Sequence, residues 1–220
     1  MCRKLPLYNF IGLKKKQNIL EVPFGETRVL LHTCCAPCSS AIVECLMNHG
    51  IEPVIFYSNP NIYPEEEYQI RKNECTRYAQ KLGLTIIDDD YDHAAWLASI
   101  KGLEAEPERG GRCLKCFKYR LLRAARYAEQ NGIRVLTTTL ASSRWKSLEQ
   151  INEAGNWACA QVNGASLASE EPAVFWWEQN WRKGGLQERR GQIIKEMNFY
   201  NQLYCGCEFS MPKENNMKQE

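Results

Sequence analysis

Seven of the eleven cysteines in this chain lie in three short clusters that are far apart in the sequence. The clusters are CCAPC at residues 34–38, CLKC at residues 113–116 and CGC at residues 205–207. Thiolates are soft ligands, and clusters of them in a chain without export features are typical of proteins that bind a metal or transfer electrons. Metal binding and redox chemistry are therefore the first hypotheses for this chain.

The spacing in the first two clusters favours an iron–sulfur centre over zinc. Cys113 and Cys116 are one turn apart near the start of a predicted helix, where the helix dipole favours thiolate. A zinc knuckle has about two to four residues between its cysteines, whereas Cys34 and Cys35 are adjacent. Adjacent thiolates suit a cubane, in which each corner iron takes one thiolate. Zinc and a metal-free site remain the alternatives.

The third cluster has a different geometry. A single glycine separates Cys205 from Cys207 and lets the backbone fold so that the two sulfurs meet. A disulfide closed over so short a ring is strained and easily reduced. The pair is therefore a candidate two-electron redox site, and the alternative is that it supplies two further metal ligands.

The first thirty residues have neither the apolar core nor the cleavage site of a secretory signal, and no apolar run approaches the length of a membrane span. We therefore expect a cytoplasmic protein with no membrane partner, where clustered thiols are rarely structural disulfides. The odd number of cysteines agrees, because eleven cannot all pair within one chain.

Short apolar runs alternate with helical patterns along the chain. Four runs have the length and composition of buried strands: residues 28–32, 54–57, 84–87 and 133–139. Helices are predicted over residues 64–83 and from about residue 112 to 132, with proline and glycine as boundary signals. This alternation predicts a three-layer α/β fold with parallel strands. Ligands of such sheets bind beyond the carboxyl ends of the strands, so we expect CCAPC to lie in that crevice.

The domain boundaries follow from length and composition. With 220 residues, 44% of them hydrophobic, the chain can bury one good core. We predict an N-terminal extension over residues 1–25, a single catalytic α/β domain over residues 26–211 and a disordered tail over residues 212–220.

Charge is distributed unevenly. Residues 51–100 carry four Lys or Arg against nine Asp or Glu, whereas residues 101–147 carry eleven against four. Basic stretches such as Arg112 to Arg126 and Arg182 to Lys195 either attract a polyanion or are solvated helix faces. The aromatic run that begins at residue 175 either stacks on an unpaired base or packs in a core.

Five ordered motifs closely resemble the epoxyqueuosine reductase QueH family, and they extend from about Arg28 to Ser210. The motifs are HTCCAPC at residues 32–38, NPNIYP at residues 59–64 with Glu67, Tyr68 and Arg71, RCLKC at residues 112–116 with Arg120 and Leu121, TTTL at residues 137–140 with Ser143 and Lys146, and YCGCEFS at residues 204–210. The resemblance implies a Rossmann-like, nucleotide-hydrolase-like sheet, mostly parallel, with a helical C-terminal part.

The resemblance also implies a reaction. It predicts an oxidoreductase that reduces epoxyqueuosine to queuosine at the wobble position of tRNA, the last step of queuosine biosynthesis. Its partners would be tRNA carrying epoxyqueuosine and an electron donor that the sequence does not identify. The reduction takes two electrons and two protons and releases water. A cluster passes electrons singly and a dithiol holds two, so this chain has groups for both steps.

The resemblance assigns roles to individual residues. It implies a 4Fe-4S cluster on Cys34, Cys35, Cys113 and Cys116, and a redox-active pair at Cys205 and Cys207. We expect residues 204–210 to return to the CCAPC crevice, so that this pair lies with Cys38 beside the cluster. The three thiols then either include a cycling disulfide or hold a second, mononuclear metal ion. The residues expected to bind substrate are Arg71, Thr138 and Lys146.

His32 is a candidate donor of a proton to the epoxide oxygen, and its alternative role is that of a structural group at the end of a buried strand.

Other classes of protein fit less well. A tRNA-thiolating enzyme of the ATP pyrophosphatase type would have a Ser-Gly-Gly-x-Asp-Ser loop after its first strand, where this chain has CCAPC. A zinc-stabilised RNA-binding module would need no dithiol. A thiol–disulfide oxidoreductase would have a Cys-x-x-Cys helix start without an adjacent cysteine.

Overall fold

The structure, a computed structural model, describes residues 20–164 and 171–211. Most of the predicted N-terminal extension and all of the predicted tail lie outside these residues. Within the described part of the chain, no helix has both the length and the apolar composition needed to cross a bilayer.

A five-stranded parallel sheet lies at the centre of the molecule. Its strands are β1 (Arg28–Thr33), β2 (Glu52–Tyr57), β3 (Ile86–Asp88), β4 (Val135–Thr138) and β5 (Phe175–Trp176). Their spatial order is β3-β2-β1-β4-β5, and every neighbouring pair is parallel. The predicted α/β fold is therefore confirmed, with each of the four predicted strands present.

Helices cover both faces of the sheet. They are α1 (Ala36–Asn48), α2 (Glu65–Leu82), α3 (His93–Ser99), α4 (Gly111–Gln130), α5 (Leu148–Asn163) and α6 (Leu186–Met197). Side chains of α1, α2 and α6 form one apolar cluster with one face of the sheet, and those of α4 and α5 form a second cluster with the other. Side chains along β1 alternate between the two faces of the sheet, so Val29 and Leu31 join the first cluster and Leu30 joins the second. The molecule thus has three layers.

The sequence signals for α2 act as expected. Pro64 immediately precedes the helix, three glutamates occupy its first turn, and Gly83 ends it. Carboxylates near a helix N-terminus interact favourably with the helix dipole. The chain therefore encodes this helix locally, before any tertiary contact is considered.

The aromatic run at residue 175 has a different role from the RNA-stacking one considered above. Phe175 and Trp176 form the edge strand β5, because the open edge of β4 accepts Phe175 N–H at Arg134 O, 2.7 Å away, and Trp177 N–H at Leu136 O, 2.8 Å away. Trp176, Trp177 and the nearby Trp181 are each at most 5% exposed. Core packing therefore accounts for the three tryptophans.

The strand order creates the crevice that holds the site. β1 and β4 are neighbours, yet the helices that follow them, α1 and α5, pack on opposite faces of the sheet. Chain segments that leave adjacent strands in opposite directions open a cleft at the carboxyl ends, where ligands bind in open α/β sheets. The backbone N–H of Cys34, just after β1, donates to Thr139 Oγ1, just after β4, at 3.2 Å.

Helix α5 approaches the sheet through a glycine. A Cβ placed on Gly155 would lie 2.1 Å from ring atoms of Trp176, far inside van der Waals contact. The indole nitrogen of Trp176 also donates to Asn152 Oδ1 of the same helix at 3.3 Å. The absence of a side chain at Gly155 therefore sets how closely α5 and β5 pack.

We predict opposite effects for two glycine-to-alanine substitutions in helices. Gly155→Ala should lower the free energy of unfolding by about 1–3 kcal/mol, because the methyl group overpacks the Trp176 ring. Gly191→Ala should raise it by about 0.5–1 kcal/mol, since Gly191 is exposed inside α6 and an added Cβ there has open space. Urea unfolding of both variants measures the difference. Equal effects would contradict the role given to Gly155.

Candidate active site

One cavity of about 460 Å³ opens at the carboxyl ends of β1, β2 and β4. Its walls come from the segments that follow these strands, the first turns of α4 and residues 201–210. Six of the seven clustered cysteines line it: Cys34, Cys38, Cys113, Cys116, Cys205 and Cys207. The three cysteine clusters, separated by up to about 170 residues in the chain, therefore meet at one site.

The CCAPC cysteines form the most compact group. The sulfurs of Cys34, Cys35 and Cys38 lie within 4.8 Å of one another at the N-terminus of α1. Cys35 is buried, and its sulfur is 3.9 Å from that of Cys34. These three thiols are a group that can hold a metal ion, and Cys38 lies beside the predicted cluster ligands Cys34 and Cys35.

The three thiols differ in acidity. Hydrogen bonding with the thiols of Cys35 and Cys38 holds the pKa of Cys34 well below its ordinary value, with further help from Lys146 and Thr139. Hydrogen bonding with Cys34 raises the pKa of Cys35 well above its ordinary value and that of Cys38 to about 12. Cys34 is therefore the most acidic of the three thiols, and a metal bound to all three sulfurs would displace the protons that they carry.

Cys113 and Cys116 lie one turn apart at the start of α4, as predicted. The backbone N–H of Arg109 donates to Cys113 Sγ at 3.3 Å. Cys116 is buried in a small apolar cluster that also contains Trp96 and Cys207. Burial raises the pKa of both α4 thiols, so it outweighs the helix dipole, which the sequence predicts to favour thiolate. The second and third cysteine clusters therefore each contribute one thiol, Cys116 and Cys207, to the same apolar cluster.

The C-terminal segment is hydrogen-bonded to the first cysteine cluster and to Lys146. Gln202 Nε2 donates to Cys35 Sγ at 3.2 Å. Lys146 Nζ donates to Cys205 Sγ at 3.3 Å. These contacts confirm the predicted return of the segment to the CCAPC crevice.

Arg71 holds this segment in place. Its guanidinium donates to the carbonyl oxygens of Cys205 at 3.2 Å and Tyr204 at 3.3 Å, and it pairs with Glu67 at 2.7 Å. Gly206 lies against the Arg71 guanidinium. Its φ of +108° is unfavourable for a residue with a side chain, and a Cβ there would lie 3.0 Å from Arg71 Nη1. Arg71 lines the cavity, yet each of its three guanidinium nitrogens already donates to a partner within the protein.

Lys146, the second predicted substrate-binding residue, also lines the cavity. Burial alone would lower the pKa of its ammonium, but the nearby thiols of Cys205, Cys34 and Cys38 outweigh this effect and raise the pKa above its ordinary value. Lys146 is therefore a fixed positive charge between the first and third cysteine clusters.

Thr138 and His32 do not line the cavity. Thr138 is fully buried, and its hydroxyl donates to His32 Nδ1 at 2.7 Å, since His32 Nε2–H donates to Ser58 O at 3.1 Å. Burial, with help from Arg120, lowers the pKa of His32 to about 3. His32 is therefore a neutral structural group, and the hydroxyl predicted to bind substrate is used to hold it.

The cavity is strongly cationic. Seven cationic side chains line it, and Glu108 is the one carboxylate among the described lining residues. The cations are Arg71, Arg109, Arg112, Arg120, Arg144, Lys146 and Arg190. Most of these arginines donate to backbone carbonyl groups, as Arg112 does to Glu104 and Glu106. Carbonyl partners fix the arginines without cancelling their charge.

The sequence predicts only some of the seven cations that line the cavity. Arg144 lies between the family motif positions Ser143 and Lys146, which is the signal that could have identified it. Arg123, predicted to lie on a polyanion-binding face, instead pairs with Asp89 through two hydrogen bonds. The pair lies at a separate pocket of about 270 Å³ that Arg126, Asp88 and Asp90 also line.

Comparisons with known proteins agree with the motifs. Residues 29–213 match the family described as epoxyqueuosine reductase QueH. The chain is 45% identical to the protein of that name from Histophilus somni, covering 91% of this chain and 79% of the relative. It is also 45% identical to the Haemophilus influenzae protein, covering 99% and 83%, and 44% identical to the Acinetobacter baylyi protein, covering 92% and 89%. Both relatives are named epoxyqueuosine reductase QueH.

We predict that Arg71→Lys loosens the C-terminal segment. A lysine cannot serve Glu67 and two carbonyl groups together, so buried acceptors lose their donors at a cost of about 1–3 kcal/mol. Arg77→Lys is the matched control, because Arg77 lies on the same helix and also bonds a glutamate and a carbonyl, but its side chain is 46% exposed. That change should cost at most about 1 kcal/mol.

Urea unfolding measures both costs, and mass-spectrometric mapping of alkylated thiols measures access to Cys207, which is 7% exposed. Alkylation of Cys207 should accelerate in the Arg71 variant alone. Unchanged alkylation in that variant would show that Arg71 does not anchor the segment.

Proposed function

Because the chain belongs to the epoxyqueuosine reductase QueH family and is therefore an oxidoreductase, we propose that it reduces epoxyqueuosine to queuosine in tRNA, as the last step of queuosine biosynthesis in the cytoplasm. The proposal rests on one observation above all, the meeting of three cysteine clusters in a single cationic cavity. A structural zinc site would leave the third cluster without a purpose.

The thiols suit an iron–sulfur cluster. We assign the four ligands of a 4Fe-4S cluster to Cys34, Cys35, Cys113 and Cys116, which come from the N-terminal ends of two helices. Thiolate is the usual ligand of such clusters, and the surrounding cations offset the negative charge that four thiolates bring. When bound, the cluster supplies electrons one at a time. The compact group of Cys34, Cys35 and Cys38 is the alternative ligand set.

Cys205 and Cys207 are left for the two-electron step. Conversion of the epoxide to the alkene breaks two C–O bonds and consumes two electrons and two protons, and the oxygen leaves as water. Oxidation of the dithiol to a disulfide releases two electrons and two protons, so the two half-reactions balance. A one-electron donor must then reduce the disulfide in two steps. Lys146, 3.3 Å from Cys205 Sγ, stabilises the thiolate as its proton leaves.

Cys38 lies in the same cavity and is the third thiol of this reaction centre. In the second version of the proposal, Cys38, Cys205 and Cys207 bind a mononuclear metal ion, whose contribution would be that of a Lewis acid toward the epoxide oxygen. Replacement of Cys205 should impair the reaction in both the disulfide version and the metal-ion version, whereas only the disulfide version needs Cys205 and Cys207 to form a bond.

Charge and size support a tRNA substrate. A cavity lined by seven cationic side chains and one carboxylate attracts a polyanion. Its volume of about 460 Å³ is that of a small-ligand site, so only a single nucleotide outside the base stack can enter. The wobble position lies in an unpaired loop, where a base leaves the stack at low cost.

We predict that the protein, reconstituted anaerobically with iron and sulfide, shows broad absorption near ~400 nm from thiolate-to-iron charge transfer. Ser substitution of Cys113 or Cys116 should remove most of it, whereas Cys45→Ser, in α1 but away from the cavity lining, should keep it. Iron, zinc and sulfide analysis accompanies the spectra. Cys38→Ser distinguishes the two ligand sets. This variant should retain the cluster if Cys113 and Cys116 are ligands, and should lose it if Cys38 is a ligand. Stoichiometric zinc without this absorption would overturn the cluster.

We also predict that Cys205→Ser lowers multiple-turnover epoxide reduction by at least about 100-fold and leaves the cluster spectrum unchanged, because the hydroxyl can neither form a disulfide nor replace a soft ligand. Mass spectrometry of nucleosides from treated tRNA measures the product. Cys159→Ser is the control, since this buried thiol lies in the α5 core. Full activity of the Cys205 variant would contradict both versions of the proposal.

A further inference from the structure

Trp145 stands at the rim of the cavity with most of its side chain in solvent. It lines the cavity and is 73% exposed, whereas Trp96, Trp176, Trp177 and Trp181 are each at most 5% exposed. Indole has a large apolar surface whose burial is favourable, so a solvent-facing indole at the rim of a cavity is a candidate for contact with a partner.

The backbone that carries this indole is held firmly. Arg109 donates from Nε to the carbonyl of Trp145 at 2.9 Å and from Nη2 to that of Arg144 at 3.0 Å. Arg182 donates from Nη2 to the carbonyl of Lys146 at 2.6 Å. Three successive carbonyl groups therefore each accept a hydrogen bond from an arginine. A fixed backbone beneath an exposed aromatic ring lowers the entropy lost when the ring binds a partner.

The surroundings of the ring identify the partner by charge. Arg109 and Arg144 are exposed beside it, and the cavity behind it is lined by five further cations. An aromatic ring next to cations that can reach a phosphate backbone is the usual binding surface for unpaired nucleotides. The combination favours RNA over an apolar protein surface.

We propose that Trp145 stacks on the loop nucleotide next to the one that enters the cavity, and that Arg109 and Arg144 contact the adjoining phosphates. When one base leaves the stack, the face of its neighbour is uncovered, and the indole at the rim can cover it. This inference rests on the proposed function. Trp145 is a positioning residue in this role, because it acts on the RNA and does not contact the reacting atoms.

The test measures binding of an anticodon stem-loop RNA to the full-length, cluster-loaded protein by fluorescence anisotropy. Trp145→Ala should weaken binding about 5- to 150-fold, as expected for loss of one stacked base, and Trp145→Phe should stay within about threefold of wild type. Phe24→Ala is the control, since Phe24 is 49% exposed but packs on Phe175, at the opposite end of the sheet. It should bind normally, and all variants should keep the cluster absorbance.

Two further measurements separate stacking from a general loss of structure. In stem-loops with one abasic nucleotide beside the wobble position, wild type and Trp145→Ala should bind equally when the missing base is the stacked one. In turnover, Trp145→Ala should raise KM for tRNA and leave kcat within about twofold, as expected for loss of uniform binding.

Equal affinity of Trp145→Ala and wild type for the intact loop would overturn the inference alone. The inference would also be overturned if Trp145→Ala bound RNA normally but reacted slowly only when a protein supplied the electrons. The rim would then be the binding surface of the electron donor. A wild-type protein that neither binds nor reduces the modified RNA would overturn the proposed function, and the inference with it.

Discussion

The gathering of seven thiols around one partly enclosed cavity sets an electrostatic condition on the rest of the structure. Thiolates repel one another strongly where water is scarce, so they need fixed positive charges nearby. The chain provides them mainly through arginines anchored on neutral carbonyl groups, such as Arg109 on Trp145 and Arg112 on Glu104. Because carboxylates hold few of these arginines, the charge remains available to the thiols and to an anionic substrate. Arg71, which pairs with Glu67, is the exception and serves as an anchor.

The same charge distribution connects the reaction with recognition of the substrate. Deep in the cavity the cations offset the charge of the sulfurs, and at the rim they face solvent beside an exposed indole. This arrangement of cations from the bottom of the cavity to its rim is possible because the cavity opens where α1 and α5 leave neighbouring strands toward opposite faces. Under the proposed function, one nucleotide enters this site and the rest of the RNA loop stays on the rim, so chemistry and recognition occupy adjacent parts of one surface.

Much of this protein is determined by its sequence alone. Four of the five strands, the boundaries of α2 and the position of CCAPC after the first strand follow from periodicity, proline and glycine signals and the order of the motifs. Such features depend on neighbours within a few residues, so they are encoded locally. The order of the cysteine motifs also identifies the family, because the spacing of motifs along the chain can be read without knowing how the chain packs. The conclusion that the crevice holds CCAPC needs only the strand that precedes it.

Only the tertiary structure decided which groups meet and which are already used. Cys207 joins Cys116 in one apolar cluster, and the Thr138 hydroxyl donates to His32. Trp145 is exposed and the tryptophans near β5 are buried, although nothing in their composition distinguishes them. These outcomes depend on contacts between segments that are often more than 100 residues apart. A local pattern gives the type of side chain, but its partner and its exposure are fixed only when the layers pack.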